Sequence, residues 1–289
     1  MTLKKLGYRL EAVAARALYT VLGAVPVDAA SALAGGLTRL IGPRLGVSRV
    51  ARRNLARAFP EKSDAEIESI VAEAWENLGR VAGEFPHLGE LVHGRVEVAG
   101  IEHLHAVRDD GLPALFVSAH CGNWELPGTV AYNEGLPVTL VYRAANNPWI
   151  EDLFRRGRGP AAAGGQIAKG ADGARQIMKA LKAGAHIGML VDQKMNDGIA
   201  VPFFGRDAMT APAVGRFAAK FACPVVPLRV ERLRGAHFRV TFYPPMDHAP
   251  SGDPQADTLD LMTRINAMIE SWIRERPGQW LWMHRRWPD

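Results

Sequence analysis

Two residues in the stretch FVSAHCGNWELPG, Phe116 to Gly128, have types and spacing that can do chemistry: His120 and, five positions on, Glu125. A histidine with one ring nitrogen held by a carboxylate keeps the other free to take a proton from an attacking group. On one continuous helix, residues five apart point about 140° from each other, so this pair meets only across a turn. Gly122 permits a tight turn, and Asn123 is of the type that caps a following helix. Glu125 then falls in the first helical turn, where the helix dipole favours the ionised carboxylate. The stretch lacks the serine of a G-x-S-x-G elbow. A base and its orienter here would act on a hydroxyl carried by the substrate, and the reaction would be a transfer to that hydroxyl. The plain alternative is a strand-end histidine satisfied by a backbone carbonyl, with Glu125 on the surface.

A histidine so placed needs a strand to deliver it. The apolar run ALFVSA ends at His120, and open α/β sheets bind ligands beyond the carboxyl ends of their strands. From about Val96 short β-rich runs alternate with helical ones. ALFVSA leads to a helix near Asn123 to Tyr132, and PVTLVY to one near Pro148 to Arg156. The helix ARQIMKALKAG precedes the strand HIGMLV. The helix APAVGRFAAKFA precedes the strand PVVPLRV, beside which HFRVTFY pairs. A long helix from about Pro254 to Arg276 closes the chain. This alternation predicts an α/β fold, a largely parallel twisted sheet flanked by helices on both faces.

The region before Val96 reads as helical. SDAE at Ser63 to Glu66 is a capping box, and Ile67, Ile70, Val71, Ala74, Trp75 and Leu78 follow at helical spacing. Upstream, Arg49, Arg52, Arg53 and Arg57 form either a solvated helix face or a contact to phosphates or lipid headgroups. We divide the chain into an N-terminal helical, membrane-associated segment, 1–45, and a catalytic domain, 46–289.

The chain has 289 residues, 48% hydrophobic and 22% charged, enough to bury a real core. Its 35 basic and 30 acidic side chains leave a net +5, which suits an anionic partner such as membrane lipid, a phosphate, an acidic carrier protein or nucleic acid. Two cysteines, Cys121 and Cys223, exclude a disulfide framework and fit a reducing compartment, and no cysteine or histidine cluster has zinc spacing. Lys4, Lys5, Arg9, Glu11 and Arg16 interrupt the first apolar run, so there is no secretory h-region. Pro26 and Asp28 break the next, leaving no stretch of about 20 apolar residues for a spanning helix. On a helical projection Leu3, Leu6, Leu10, Val13, Ala17 and Val21 share one face, opposite Lys5, Arg9 and Arg16. That pattern fits a helix lying on an anionic membrane surface, or a surface helix packed on the core.

SAHCGNWE resembles the H-x4-D/E block of the glycerolipid and lysophospholipid acyltransferase superfamily. Further segments narrow the likeness: RVARRNLARAFPE, WENLGRVAGEF, VYRAANNP, LVDQKMNDGIAVPFFGRDAMT, CPVVPLRV and PGQWLWMHRRWP resemble the bacterial lipid A late acyltransferases, the lauroyl/myristoyl group, nearly end to end. The resemblance implies acyl transfer from an acyl carrier protein thioester to a hydroxyl of a lipid A precursor. No cofactor or metal is needed. It implies His120 as general base and Glu125 as its orienter, with Arg143 positioning acceptor or donor and Asn146 supporting it. Relatives carry a clearer N-terminal anchor than this chain; because the implied acceptor is a membrane lipid, peripheral or monotopic attachment at the cytoplasmic face of the inner membrane is expected.

The residue types agree with unequal strength. Arg143 follows a strand, so its guanidinium can reach the rim beside His120 and hold a phosphate, or can pair with a neighbouring helix. Asp192, at the next strand end with Gln193 after it, can bind Arg143 or cap a loop. Phe203 and Phe204 suit the core or an acyl slot, and Gly205 permits a turn after them. Arg229, on PVVPLRV, can receive an anionic group. Trp272, Trp280, Trp282 and Trp287, with His284, Arg285 and Arg286 among them, suit a membrane interface or the core. The nearest rivals are an acyl-CoA-dependent glycolipid acyltransferase, such as a phosphatidylinositol mannoside acyltransferase, and a non-catalytic lipid-binding protein. The arginines are scattered and no RNA or DNA motif is visible, so nucleic acid is not expected as a partner.

Overall fold

Short apolar runs buried on both sides are what a covered parallel sheet requires, and the chain folds around one. The computed structural model describes residues 3–248 and 250–287. Five helices come first: α1 (Leu3–Gly23), α2 (Val27–Ile41), α3 (Ser48–Ala58), α4 (Asp64–Glu84) and α5 (Leu88–Gly94). Then follow β1 (Val96–Ala99), α6 (Ile101–Asp109), β2 (Leu115–Ser118), α7 (Leu126–Asn133), β3 (Val138–Tyr142), α8 (Pro148–Gly157), β4 (Gln166–Ala168), α9 (Ala171–Lys182) and β5 (His186–Leu190). The rest is β6 (Lys194–Phe203), β7 (Arg206–Thr210), α10 (Ala213–Phe221), β8 (Val225–Arg234), β9 (His237–Phe242) and α11 (Pro254–Glu275).

Seven strands form one sheet in the order β1-β9-β8-β2-β5-β3-β4. Only β8 and β9 run antiparallel, because two residues, Gly235 and Ala236, join them and so short a loop cannot reverse for a parallel return. The other neighbours are parallel. All four residues of β2 are buried, and alternate side chains feed two cores. Phe116 joins Leu126, Val130, Val138, Leu228 and Phe242 on one face. Leu115 and Val117 join Ile187, Met189, Val225 and the inner face of α11 on the other.

The capping box forms as its residue types require: Ser63 Oγ accepts the Glu66 N–H, and Glu66 accepts the Ser63 N–H at 2.9 Å. α4 receives α2 closely. A Cβ at Gly83 would lie 2.4 Å from the Ala30 carbonyl oxygen, so only glycine lets the two backbones approach. Thr38 Oγ1 donates to the Trp75 carbonyl at 2.7 Å across the same seam. On α3, Arg52 is held by Glu68 and by the Pro43 carbonyl at 2.9 Å.

α1 turns its predicted apolar face outward. Leu6, Leu10, Val13 and Val21 are exposed, as is Leu18, while Ala12 and Tyr19 face the protein. Leu3, placed on that face by the sequence, lies outside the residues whose side chains are described. Exposed Leu33, Leu37, Leu40 and Ile41 extend the apolar surface along α2. No described helix is long and apolar enough to cross a membrane.

The four C-terminal tryptophans are core residues: Trp272, Trp280, Trp282 and Trp287 are all buried, the second of the two placements the sequence allowed. Trp280, Trp282 and Trp287 pack with Phe203, Phe204 and Phe59, and Trp272 stacks on Tyr243. Arg286, fully buried, lies over the Phe203 ring and donates to Thr210 Oγ1 at 2.8 Å; burial pushes its guanidinium down to about 10.

Candidate active site

The register of two central strands builds the site. β2 and β5 are parallel neighbours with Leu115 opposite Ile187 and Ser118 opposite Leu190. Two residues beyond each strand end, that register sets His120 beside Asp192. The His120 N–H donates to Asp192 Oδ2 at 2.9 Å, and ring Nδ1 lies 2.8 Å from Oδ1. Trp280 Nε1 donates to Oδ2 at 2.7 Å. Asp192 is buried. Burial alone would raise its pKa, but the His120 ring and the hydrogen bonds from it outweigh that and hold the carboxyl well below the usual carboxylate range. An ionised acceptor fixes the proton on Nδ1 and leaves Nε2 as the basic nitrogen of the ring. The carboxylate on the imidazole is therefore Asp192 and not Glu125, because strand pairing reaches across 72 residues while the turn aims Glu125 elsewhere.

Glu125 goes to Arg158. The guanidinium, at the end of α8, donates Nε to Oε2 at 2.8 Å and Nη2 to Oε1 at 3.1 Å, a bidentate clamp. Nη1 donates to Gln166 Oε1 at 3.0 Å, and the cation lies over the Tyr142 ring. Among the described residues, three of the five guanidinium N–H groups have an acceptor and two do not. Helix α7 starts at Leu126 with Glu125 as its N-cap residue, later than expected. Asn123 turns the chain just before it, its Oδ1 accepting the Glu125 N–H at 3.2 Å.

The turn is locked from behind. Gly122 has φ +56°, and a Cβ there would lie 2.8 Å from the Val230 carbonyl oxygen. Its N–H donates to the Gln279 carbonyl, its own carbonyl accepts from Asn77 Nδ2 at 2.9 Å, and the Leu281 N–H donates to the His120 carbonyl. Asn123 Nδ2 donates to Glu84 Oε2 at 2.9 Å, and Glu84 is the buried partner of Arg232 and Ser31.

His120 and Glu125 both line a cavity of about 260 Å³. Arg143, Arg158, Lys169 and Gln193 supply its polar lining; Phe116, Ala131, Val138, Leu140, Leu228 and Phe242 supply its apolar lining. The other expected ligand residues lie elsewhere. Asn146 is exposed in the loop before α8, and it is Asn147 that caps the helix by accepting the Trp149 N–H. Phe204 and Gly205, with φ of 52° and 68°, are the two-residue turn of the β6–β7 hairpin, and the Phe204 ring is in the tryptophan cluster. Arg229 points to the other side, bound to Glu275 at 2.7 Å and Glu231 at 3.2 Å. Sequence reasoning missed Arg158 and Lys169, one among several arginines of FRRGRGP and the other just past a three-residue strand. Among the described residues no three His, Cys, Asp or Glu side chains are grouped to hold a metal.

The chain matches the bacterial lipid A biosynthesis acyltransferase family profile over residues 2–289. It is 29% identical over 248 residues to the lipid A biosynthesis palmitoleoyltransferase of Escherichia coli K12, covering 82% of this chain and 77% of that protein. It is 27% identical over 250 residues to the lipid A biosynthesis myristoyltransferase of the same organism, covering 83% and 75%. The phosphatidylinositol mannoside acyltransferase of Mycolicibacterium smegmatis is 24% identical over 254 residues, covering 84% and 81%. The chain belongs to the bacterial lipid A biosynthesis acyltransferase family, and it is an acyltransferase.

Proposed function

We propose that this enzyme moves a fatty acyl chain from an acyl carrier protein thioester to a hydroxyl of a lipid A precursor, with His120 as general base. The observation that carries this reading is an imidazole tied through Nδ1 to a buried aspartate, on the wall of a cavity lined by both basic and apolar side chains. The acceptor hydroxyl gives its proton to Nε2 as its oxygen attacks the thioester carbonyl carbon. Asp192 stabilises the imidazolium. The remaining N–H groups of Arg158, held in place by Glu125, donate to the developing oxyanion. The C–S bond then breaks, the thiolate takes the proton from His120, and the products are ester and thiol. Arg143 and Lys169 bind an anionic group of donor or acceptor. The apolar end of the cavity holds the acyl chain.

The exposed leucines of α1 and α2, with Lys5, Arg9 and Arg16 on α1, support a peripheral seat on an anionic membrane surface. A second reading, acyl-CoA as donor and a mannolipid as acceptor, is favoured by the 24% identity to the mannoside acyltransferase. One experiment separates them. Purified enzyme is given acyl carrier protein or coenzyme A thioesters with lipid A precursor or mannolipid, and the products are weighed by mass spectrometry. An added acyl ester on the lipid A precursor is expected from the carrier-protein thioester and disappears in His120→Ala. No ester on either acceptor from either donor sinks both readings.

A further inference from the structure

We infer that Gly188, in the middle of the central strand β5, sets how deep the acyl slot runs and so which chain lengths the enzyme transfers; this rests on the acyltransfer reading above. The slot lies between α7 and one face of the sheet, and the strand registers sort its lining into layers. Tyr142, Leu190, Ser118 and Leu228 form the layer next to His120. Leu140, Gly188 and Phe116 are paired in register as the layer below. Val138 lies one layer further down, with Ala131 of α7 also in the lining. Layers two residues apart are spaced by about 6.6 Å, so three of them span about 13 Å.

In the middle layer Gly188 stands between two large side chains, and its missing side chain keeps the passage open. A backbone reason for glycine does not apply there. Gly188 is not among the residues with positive φ. A Cβ at this position would meet no backbone; its nearest neighbours would be Val138 Cγ1 at 3.1 Å and Leu140 Cδ2 at 3.3 Å, both side-chain atoms of residues that line the slot. By contrast, Gly128 on α7 is fixed by packing, with a Cβ placed 2.9 Å from that of Ala161. Glycine inside a strand weakens it and marks close approach of something else. Here the neighbours that approach Gly188, Val138 and Leu140, are themselves cavity-lining side chains, and the residue is partly exposed although flanked by strands on both sides.

The test compares wild type with Gly188→Ala, Gly188→Val and Gly188→Leu on donors of graded length, from about 8 to about 16 carbons, reading kcat/KM for each. The expected result is a preference that moves to shorter chains as the side chain grows. The longest donor used by wild type should fall about 10-fold or more relative to the short ones, on the scale of methylene discrimination in apolar pockets. A uniform loss at every length, or an unchanged profile in well-folded Gly188→Leu, overturns the inference. Should the larger variants fail to fold, Ala131→Leu fills the slot from the facing helix and must shift the profile the same way. Binding of free fatty acids of graded length is read in parallel. If wild type transfers nothing yet binds long chains, and Gly188→Val binds only short ones, the acyltransfer reading fails while the assignment of Gly188 stands.

Discussion

Replacing Asp192 by asparagine should disable proton transfer while leaving the fold almost untouched, and the geometry says why. Oδ2 accepts two N–H groups, from the His120 backbone and from Trp280, while Oδ1 faces His120 Nδ1. An amide has one oxygen and one NH2, so its oxygen takes the place of Oδ2 and its NH2 faces Nδ1. Nδ1 must then accept, which moves the ring proton to Nε2, the nitrogen that has to receive the alcohol's proton. The imidazolium also loses its counter-charge. The same swap of tautomer in a serine protease triad costs about ten-thousandfold in turnover. A loss of about a thousandfold to ten-thousandfold in kcat, roughly 4 to 5.5 kcal/mol, is expected here. KM should change little, because Asp192 is not part of the cavity wall. Initial rates against donor concentration separate kcat from KM, and nitrogen NMR of the histidine ring reads the tautomer directly. If Asp192→Asn keeps kcat within about 10-fold of wild type and the ring proton stays on Nδ1, the assignment of Asp192 as orienter is refuted.

Three other outcomes follow from the same contacts. Glu84→Ala strands the Arg232 guanidinium in the interior and removes the support of Asn123; urea unfolding should show a loss of about 3 to 5 kcal/mol, and a loss under about 1 kcal/mol would contradict the locked turn. Because the folded carboxyl of Asp192 titrates below its unfolded value, its contribution is present above about pH 4 and drains away as pH falls further. The stability gap between wild type and Asp192→Asn should therefore narrow on acidification below about pH 4, and a gap that widens there argues against an ionised Asp192. Leu10→Asp combined with Leu37→Asp, both at exposed positions, should leave thermal stability unchanged and weaken binding to anionic vesicles by at least about 10-fold; unaltered flotation with the vesicles would remove these helices from the membrane contact.

The alternation that builds the sheet was legible because β2, β3, β5 and β8 are apolar runs separated by helical periods, and each run is read locally. The β6–β7 hairpin was not, since Lys194, Asn196, Asp197, Arg206 and Asp207 break its pattern and its turn rests on Phe204 in a left-handed conformation. The tail was ambiguous for another reason: tryptophan beside arginine has the same composition in a membrane belt and in a core, and only three-dimensional closure tells them apart. The proposed base was visible at His120, but its partner was assigned to the nearest carboxylate along the chain. A carboxylate five residues away is seen by reading; one 72 residues away is seen only once β5 is known to lie beside β2 in a fixed register. The misassigned Glu125 is nevertheless in the cavity, and its position explains why a local motif pairs a histidine with an acid. The base needs a partner shielded from water, so that its charge stays fixed on one nitrogen, and a strand-end aspartate under Trp280 gives that. On the proposed mechanism the cation that meets the substrate, Arg158, needs a partner that leaves some of its N–H groups free, and Glu125 at the cavity wall gives that. Two carboxylates of one site would thus do different tasks under the proposed mechanism, and it is burial, not distance along the sequence, that separates them.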